Sequence, residues 1–163
     1  MIIREEQRDL FTVPTDYILV HCISADLAMG AGIAKEFARR EVKAELQKEY
    51  QDVEVGDCLV SNATDWGVEF NLVTKEKYWQ KPTYKTMRMA LENTEYLCEE
   101  IMRHGETVKL AMPRIGCGLD RLQWDKVKAI IEEVFADTDV EILVCVKSRN
   151  KTKILFDKGD VKI

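Results

Sequence analysis

"AMPRIGCGLDRLQW", Ala111 to Trp124, sets an apolar run against a proline, two glycines around a cysteine, an aspartate, and then the first residues of a helical pattern. An apolar segment that ends in a glycine turn and hands over to a helix is the unit from which α/β sheets are built. Glycines let the backbone come close to a ligand, and amides at the start of the next helix are positively polarised, which suits a diphosphate. The stretch therefore predicts a ligand-binding turn at the carboxyl end of a strand, the place where open α/β sheets hold their ligands.

Outward from it the same alternation repeats. "DYILVHCI" (Asp16 to Ile23) is apolar enough for a buried strand, and "GIAKEFARREVKAELQKEY" (Gly32 to Tyr50) reads as one helix. "DCLVSN" and "VEFNLVTK" form a hairpin through Asp65-Trp66-Gly67. From Thr83 to His104 apolar residues recur at Met87, Ala90, Leu91, Thr94, Leu97, Cys98 and Ile101, with Thr83 placed to cap the helix and Gly105 to stop it. "TVKLAMP" and "VEILVCV" are strands, and Trp124 to Ala136 is a helix with Trp124, Val127, Ile130, Ile131, Val134 and Phe135 inward. Right-handed crossovers of this length return parallel. The expected fold is α/β, a three-layer α/β/α sandwich around a mixed, mostly parallel sheet, the hairpin and the short first strand "MIIRE" supplying the irregular members. One domain is expected over residues 1–147, with 148–163 as a tail that either adds an edge strand or hangs loose.

Composition bounds the function. The chain has 163 residues, 46% of them apolar, which suits one domain with its own core. Its 29 acidic and 24 basic residues are interspersed and give a net charge of −5, so no broad phosphate-tracking face is evident. No leader-like or membrane-spanning run is present, and the expected setting is cytoplasmic, with no membrane partner and a monomeric state. Cys22, Cys58, Cys98, Cys117 and Cys145 are odd in number and widely spaced, which argues against a disulfide framework and a zinc cluster. His21 and His104 lack ligand spacing, so neither a metal nor a cofactor is expected; the residual metal reading is a divalent ion on scattered carboxylates.

Three loops share one topological property. Gly30-Ala31-Gly32 follows the strand ending near Ile23, Lys75 ends "VEFNLVTK", and Gly116 to Asp120 follow "TVKLAMP". All three should line one crevice. The bland readings are that the glycines serve packing, that Lys75 is solvated, and that Asp120 or Asp125 caps a helix. A thiol nucleophile, Cys117 with His21 as base, is the other chemical option, although His21 inside a buried strand reads better as a hydrogen-bonded core residue.

"VHCISADLAMGAGIAKEF", "NLVTKEKYWQKPTY" and "AMPRIGCGLDRLQWDKV" together resemble the macrodomain superfamily, and within it the branch of terminal ADP-ribose protein glycohydrolases that includes DNA-directed antitoxin relatives. The resemblance runs from about Asp9 to Val146. It implies that Asp9, with Leu10, meets the adenine amino group; here Arg8 stands where relatives have a glycine. It places Ser24, Met29, Gly30, Ala31, Gly32, Ile33 and Ala34 around the diphosphate and distal ribose, with Thr74 beside them. Ile115, Gly116, Cys117, Gly118 and Leu119 form the second loop over the diphosphate, and Cys145 stands where relatives stack an aromatic on adenine.

The resemblance further implies that Lys75 attacks the anomeric carbon of the distal ribose and that Asp120 helps open the sugar and resolve the adduct, without a metal. The implied partners are ADP-ribose and ADP-ribosylated protein, with ADP-ribosylated DNA as an alternative acceptor. An ordinary lysine, with a pKa near 10.4, is neutral in only a few parts in ten thousand at pH 7. An effective amine nucleophile therefore needs burial or neighbouring cations, here Lys77 and Lys81, and the expectation is that Lys75 and Asp120 form no tight ion pair at rest. A non-catalytic ADP-ribose reader and an ADP-ribose-phosphate phosphatase are the competing functions.

Overall fold

The computed structural model describes residues 1–65 and 67–147, so Trp66 of the expected turn and the 148–163 tail lie outside the described residues. Six strands form one sheet: β1 (Ile2–Gln7), β2 (Ile18–Ser24), β3 (Cys58–Thr64), β4 (Gly67–Lys75), β5 (Lys109–Met112) and β6 (Glu141–Val146). Their order is β1-β6-β5-β2-β4-β3, all neighbours parallel except the β3–β4 pair. The mixed, mostly parallel sheet is as expected, and β1 joins it at the edge beside β6.

Helices cover both faces. In β2, Leu19 and Ile23 face a core layer with Phe37, Val42 and Leu46, whereas Val20 faces the layer holding Met87, Leu91, Val127 and Ile131. That alternation at period two is what a strand buried on both sides must show. The first layer is supplied by α1 (Gly32–Arg39) and α2 (Val42–Glu49), the second by α3 (Tyr84–Arg103) and α4 (Trp124–Val134).

One helix expectation is corrected. Gly32 to Tyr50 is two helices, broken at Glu41, whose φ of 72° is left-handed. Arg40 and Glu41 donate their N–H groups back to Phe37 and Ala38 carbonyls and close α1 there. The break turns the chain so that Val42 and Leu46 are buried with Phe37, which a straight helix would not achieve from that spacing. α3 begins as expected: Thr83 accepts from the Thr86 N–H while the Thr86 hydroxyl accepts from the Thr83 N–H, a reciprocal cap. Gly105 follows its end at φ +88°. α4 closes at Val134, and neither Asp120 nor Asp125 caps it; Gln123 holds that position without a side-chain hydrogen bond.

A chain of polar side chains crosses the buried sheet beneath α1 and α2. His21 Nε2 lies 2.5 Å from Asn71 Oδ1, Asn71 donates to the Leu59 carbonyl and to Ser61 Oγ at 3.0 Å each, and Ser61 donates to Glu69 at 2.6 Å. Glu69, fully buried, also accepts from the Ala63 and Thr64 N–H groups and the Thr64 hydroxyl. Each carboxylate oxygen is satisfied, as a buried charge requires.

Burial favours the uncharged imidazole of His21 and lowers its pKa to about 4, against a smaller opposing contribution from Asn71. The ring should therefore stay neutral as pH falls through the ordinary histidine range near 6.5 and take up a proton only near 4. Titration of the histidine ring resonances by NMR checks this; a midpoint for His21 at 6 or above would mean that the ring is not enclosed.

Candidate active site

The carboxyl ends of the adjacent strands β5, β2 and β4 bring three loops together. β2 releases residues 25–31, β4 ends on Lys75, and β5 releases residues 113–123. The expectation of one crevice holds: Ala25 N–H donates to the Lys75 carbonyl at 2.8 Å, and a Cβ at Gly32 would stand 3.4 Å from Leu119 Cδ1.

At the centre, Lys75 Nζ lies 2.7 Å from Asp120 Oδ1, with side chains only 15% and 16% exposed. This overturns the expectation that the two stay apart at rest. A charge shielded this far from water is costly when unpaired, and here each residue offers the other its compensation. Lys81, expected to repel Lys75, instead donates to the Leu119 carbonyl at 2.7 Å and pins the loop carrying Asp120.

Backbone conformation explains the glycines. Gly116 sits at φ +74°, a conformation that favours glycine, and a Cβ there would have to displace the tips of Met87, with Cε at 2.6 Å, and Leu122, with Cδ1 at 3.0 Å. Gly118 has neither constraint; nothing lies within 4 Å of its would-be Cβ. In the facing loop two non-glycine residues, Leu27 (φ 56°) and Met29 (φ 47°), adopt the left-handed conformation, held there by burial of their side chains to 7% and 4% exposure. The following α1 begins at Gly32 after Ala31, whose methyl cannot cap it, so its first turn has no side-chain cap.

Sequence reasoning passed over Asp26. Its Oδ1 accepts from Ser24 Oγ at 2.5 Å and Ala28 N–H at 3.2 Å, and its Oδ2 accepts from Tyr78 N–H at 3.0 Å. Burial alone would raise its pKa, but these hydrogen bonds and the Lys77 charge carry it below its ordinary value. One carboxylate thus ties the end of β2 to the segment after Lys75. The signal was the "SAD" run closing a strand, where an aspartate commonly folds back on the backbone. Lys43 of α2 adds a second tether, donating to the Ala28 carbonyl at 3.0 Å.

The other expected site residues fall into two groups. Ser24 and Thr74 are buried at the ends of β2 and β4, beside Lys75. Asp9 and Leu10 lie across the sheet, after β1: Asp9 accepts from Phe11 N–H at 2.9 Å and opens a short 3-10 turn (Leu10–Thr12), while Leu10 is buried. Arg8 braces this turn, donating to the Thr12 carbonyl and hydroxyl. Cys145, buried on β6, completes this end. Phe11 joins the two groups through a stack in which His21 lies on Phe37 with centroids 3.7 Å apart, Phe37 meets Phe11 at 5.1 Å, and the Arg40 guanidinium covers Phe11 at 3.8 Å.

The thiol alternative fails on chemistry. Burial, ahead of the opposing Arg114, pushes the Cys117 thiol up to about 11, and its Sγ donates to the Ile115 carbonyl. His21 lies in the opposite core layer from Cys117, stacked on Phe37 with its Nε2 against Asn71. Among the described residues no group of three or more His, Cys, Asp or Glu is placed to hold a metal ion, and no helix is long and apolar enough to cross a membrane.

A mixed, mostly parallel sheet covered by helices on both faces is the architecture of a macrodomain, and the chain belongs to the Macro domain family, whose profile matches residues 20–131. It is 45% identical over 138 residues to the Bos taurus protein named ADP-ribose glycohydrolase OARD1, and 43% identical over the same length to the Homo sapiens protein of that name. Both alignments cover 83% of this chain and 86% of the relative. Among solved structures, the macrodomain of Thermus aquaticus DarG matches with a TM-score of 0.73 at 22% identity, over 90% of this chain and 98% of that one.

The two glycines of the second loop should respond differently to a methyl group. Gly116→Ala is expected to cost about 1–3 kcal/mol through left-handed strain. Gly118→Ala should stay within about 0.5 kcal/mol. Urea unfolding of both variants checks this, and equal stability would contradict the loop geometry.

Proposed function

We propose that the protein is an ADP-ribosyl hydrolase that binds ADP-ribose along this cleft and releases it from ester-linked acceptors, mono-ADP-ribosylated glutamate or aspartate, with O-acetyl-ADP-ribose as a small surrogate. The observation that carries the reading is the shielded contact of Lys75 with Asp120, held between two glycine loops. The relatives named ADP-ribose glycohydrolase support it at 43–45% identity.

Geometry suits the ligand. Asp9 after β1 and Lys75 at the end of β4 are separated by four strand spacings, about 19 Å. An extended nucleoside diphosphate linked to a second ribose covers that span. Asp9 would accept from the adenine amino group. The amides of Gly32 to Ala34, at a helix start, and those of Ile115 to Leu119 would hold the diphosphate. The distal ribose then lies over Lys75.

In the proposed step Asp120 takes a proton from the Lys75 ammonium. The freed amine attacks the anomeric carbon; a C–N bond forms, the C–O bond to the acceptor breaks, and the carboxylate leaves with its electron pair. The departing carboxylate takes the extra proton of the substituted nitrogen, Asp120 returns its own proton to the ring oxygen as that C–O bond breaks and an iminium forms, and water adds to the iminium to release the sugar aldehyde and regenerate the amine. The 2.7 Å contact lets one short transfer replace a lysine that is neutral at rest. A reader of ADP-ribose has no use for such a pair, since a buried charge pair adds little to stability.

Lys75→Arg keeps a cation against Asp120 and removes the nucleophile. It should bind ADP-ribose within a few-fold of the parent by calorimetry, while turnover of an ADP-ribosylated glutamyl peptide falls by at least about a thousandfold. Intact-mass measurement during turnover should show an adduct on the parent and none on Lys75→Arg. Undiminished turnover by Lys75→Arg would remove the covalent role, and no turnover by the parent would leave a reader.

A further inference from the structure

A separate recess lies beside the first turn of α3. Between the first turns of α3 and α4 runs a groove of about 490 Å³ lined by Tyr84, Lys85, Arg88, Lys126, Ala129 and Ile130. Its floor is apolar and its rims are cationic. Lys85 and Lys126 are exposed, and among the described residues neither has an ion-pair partner; Lys126 stands over the Tyr84 ring with Nζ 5.6 Å from its centroid. Arg88, one turn further along α3, pairs with Glu133.

One wall of this groove is tied to the loop that carries Asp120. Tyr84 Oη accepts from the Gln123 N–H at 3.0 Å, and Gln123 follows Asp120 by three residues, so their Cα atoms are at most about 11 Å apart. Lys81 holds the intervening loop at Leu119. Segments 76–88 and 119–126 together carry six cations, Lys77, Lys81, Lys85, Arg88, Arg121 and Lys126, against three acids, in a chain whose net charge is −5. The proposed mechanism uses none of the three cations in the groove.

We propose that the groove is the acceptor-side docking surface, and that it takes an acidic stretch of polypeptide flanking the modified carboxylate. The inference rests on the hydrolase reading above. With the modified residue over Lys75, a few residues of extended chain, at about 3.5 Å each, would carry the next acidic side chain toward Lys85 and Lys126. Tyr84, Ala129 and Ile130 face its methylenes. Charge complementarity selects the occupant: two unpaired ammonium groups over one short, apolar-floored groove match a few carboxylates, whereas a nucleic-acid strand is held by a longer cationic track along its phosphates.

The test compares four ADP-ribosylated substrates: a glutamyl peptide with Asp and Glu three and four residues away, the same peptide with Ser there, O-acetyl-ADP-ribose, and single-stranded DNA modified on a base. The parent should show a KM about tenfold lower for the acid-flanked peptide than for the serine-flanked one at low salt, and the gap should close at high salt. The double variant Lys85→Glu/Lys126→Glu should lose that preference and keep parental kcat/KM on O-acetyl-ADP-ribose; Lys85→Ala/Lys126→Ala should show the same pattern more weakly. Equal KM for the two peptides in the parent overturns the proposal. So does a double variant that loses O-acetyl-ADP-ribose turnover to the same degree, or one that weakens on DNA and not on the acidic peptide. If no substrate is turned over, the hydrolase reading itself has failed, a result distinct from turnover blind to the flanking residues.

Discussion

The contact between Lys75 and Asp120 joins two parts of the chain 45 residues apart, and most of the cleft is arranged to hold it. Taking two charges out of water costs several kcal/mol each, which their attraction only offsets when geometry is good. The surrounding structure supplies that geometry. β4 delivers Lys75 from a strand buried through most of its length, so the lysine's backbone has little freedom. Asp120 comes back over it only because Gly116 turns left-handed against Met87, Lys81 seizes the Leu119 carbonyl, and the Tyr84 hydroxyl accepts from Gln123. Each of these acts on backbone rather than on the aspartate itself.

Much of this was legible in the order of residues. Apolar runs alternating with helical stripes gave away a parallel sheet covered on both faces, and Thr83 and Gly105 marked the ends of α3 because capping chemistry is local. Lys75 and Asp120 stood out by position, each at or after the carboxyl end of a strand. The break at Glu41 was harder, since neither glycine nor proline marks it. Its trace is a five-residue gap between Phe37 and Val42 in a stripe that should recur at three or four. The resting ion pair could not be read at all: spacing tells which charges share a cleft, whereas their separation depends on how two loops close. Asp26 escaped for a related reason, because two of its three donors are backbone amides, which leave no mark in the sequence.

The polar chain from His21 to Glu69 shows what the sheet spends on definition. Beneath α1 and α2 an all-apolar interior would let β3 slide along β4 with little penalty, since a two-residue shift keeps every side chain on its own face. Asn71 and Glu69 remove that freedom. Only one register lets Asn71 reach the Leu59 carbonyl and Ser61 while Glu69 collects two amides and two hydroxyls at the turn. A slip in either direction would strand a carboxylate in a dry interior, a loss larger than any hydrophobic gain nearby. β4 is thus fixed along its length, and with it the height at which Lys75 emerges.

The stack of His21, Phe37, Phe11 and Arg40 has a consequence of another kind. It runs from the middle of the sheet, through α1, to the turn opened by Asp9, so the two ends of the cleft are parts of one stiff body rather than separate pieces joined by a hinge. Such a body works as a ruler. Under the binding mode proposed above, a ligand one phosphate shorter or longer, anchored at its base, would bring its far sugar to rest short of Lys75 or beyond it, and length alone would separate the two.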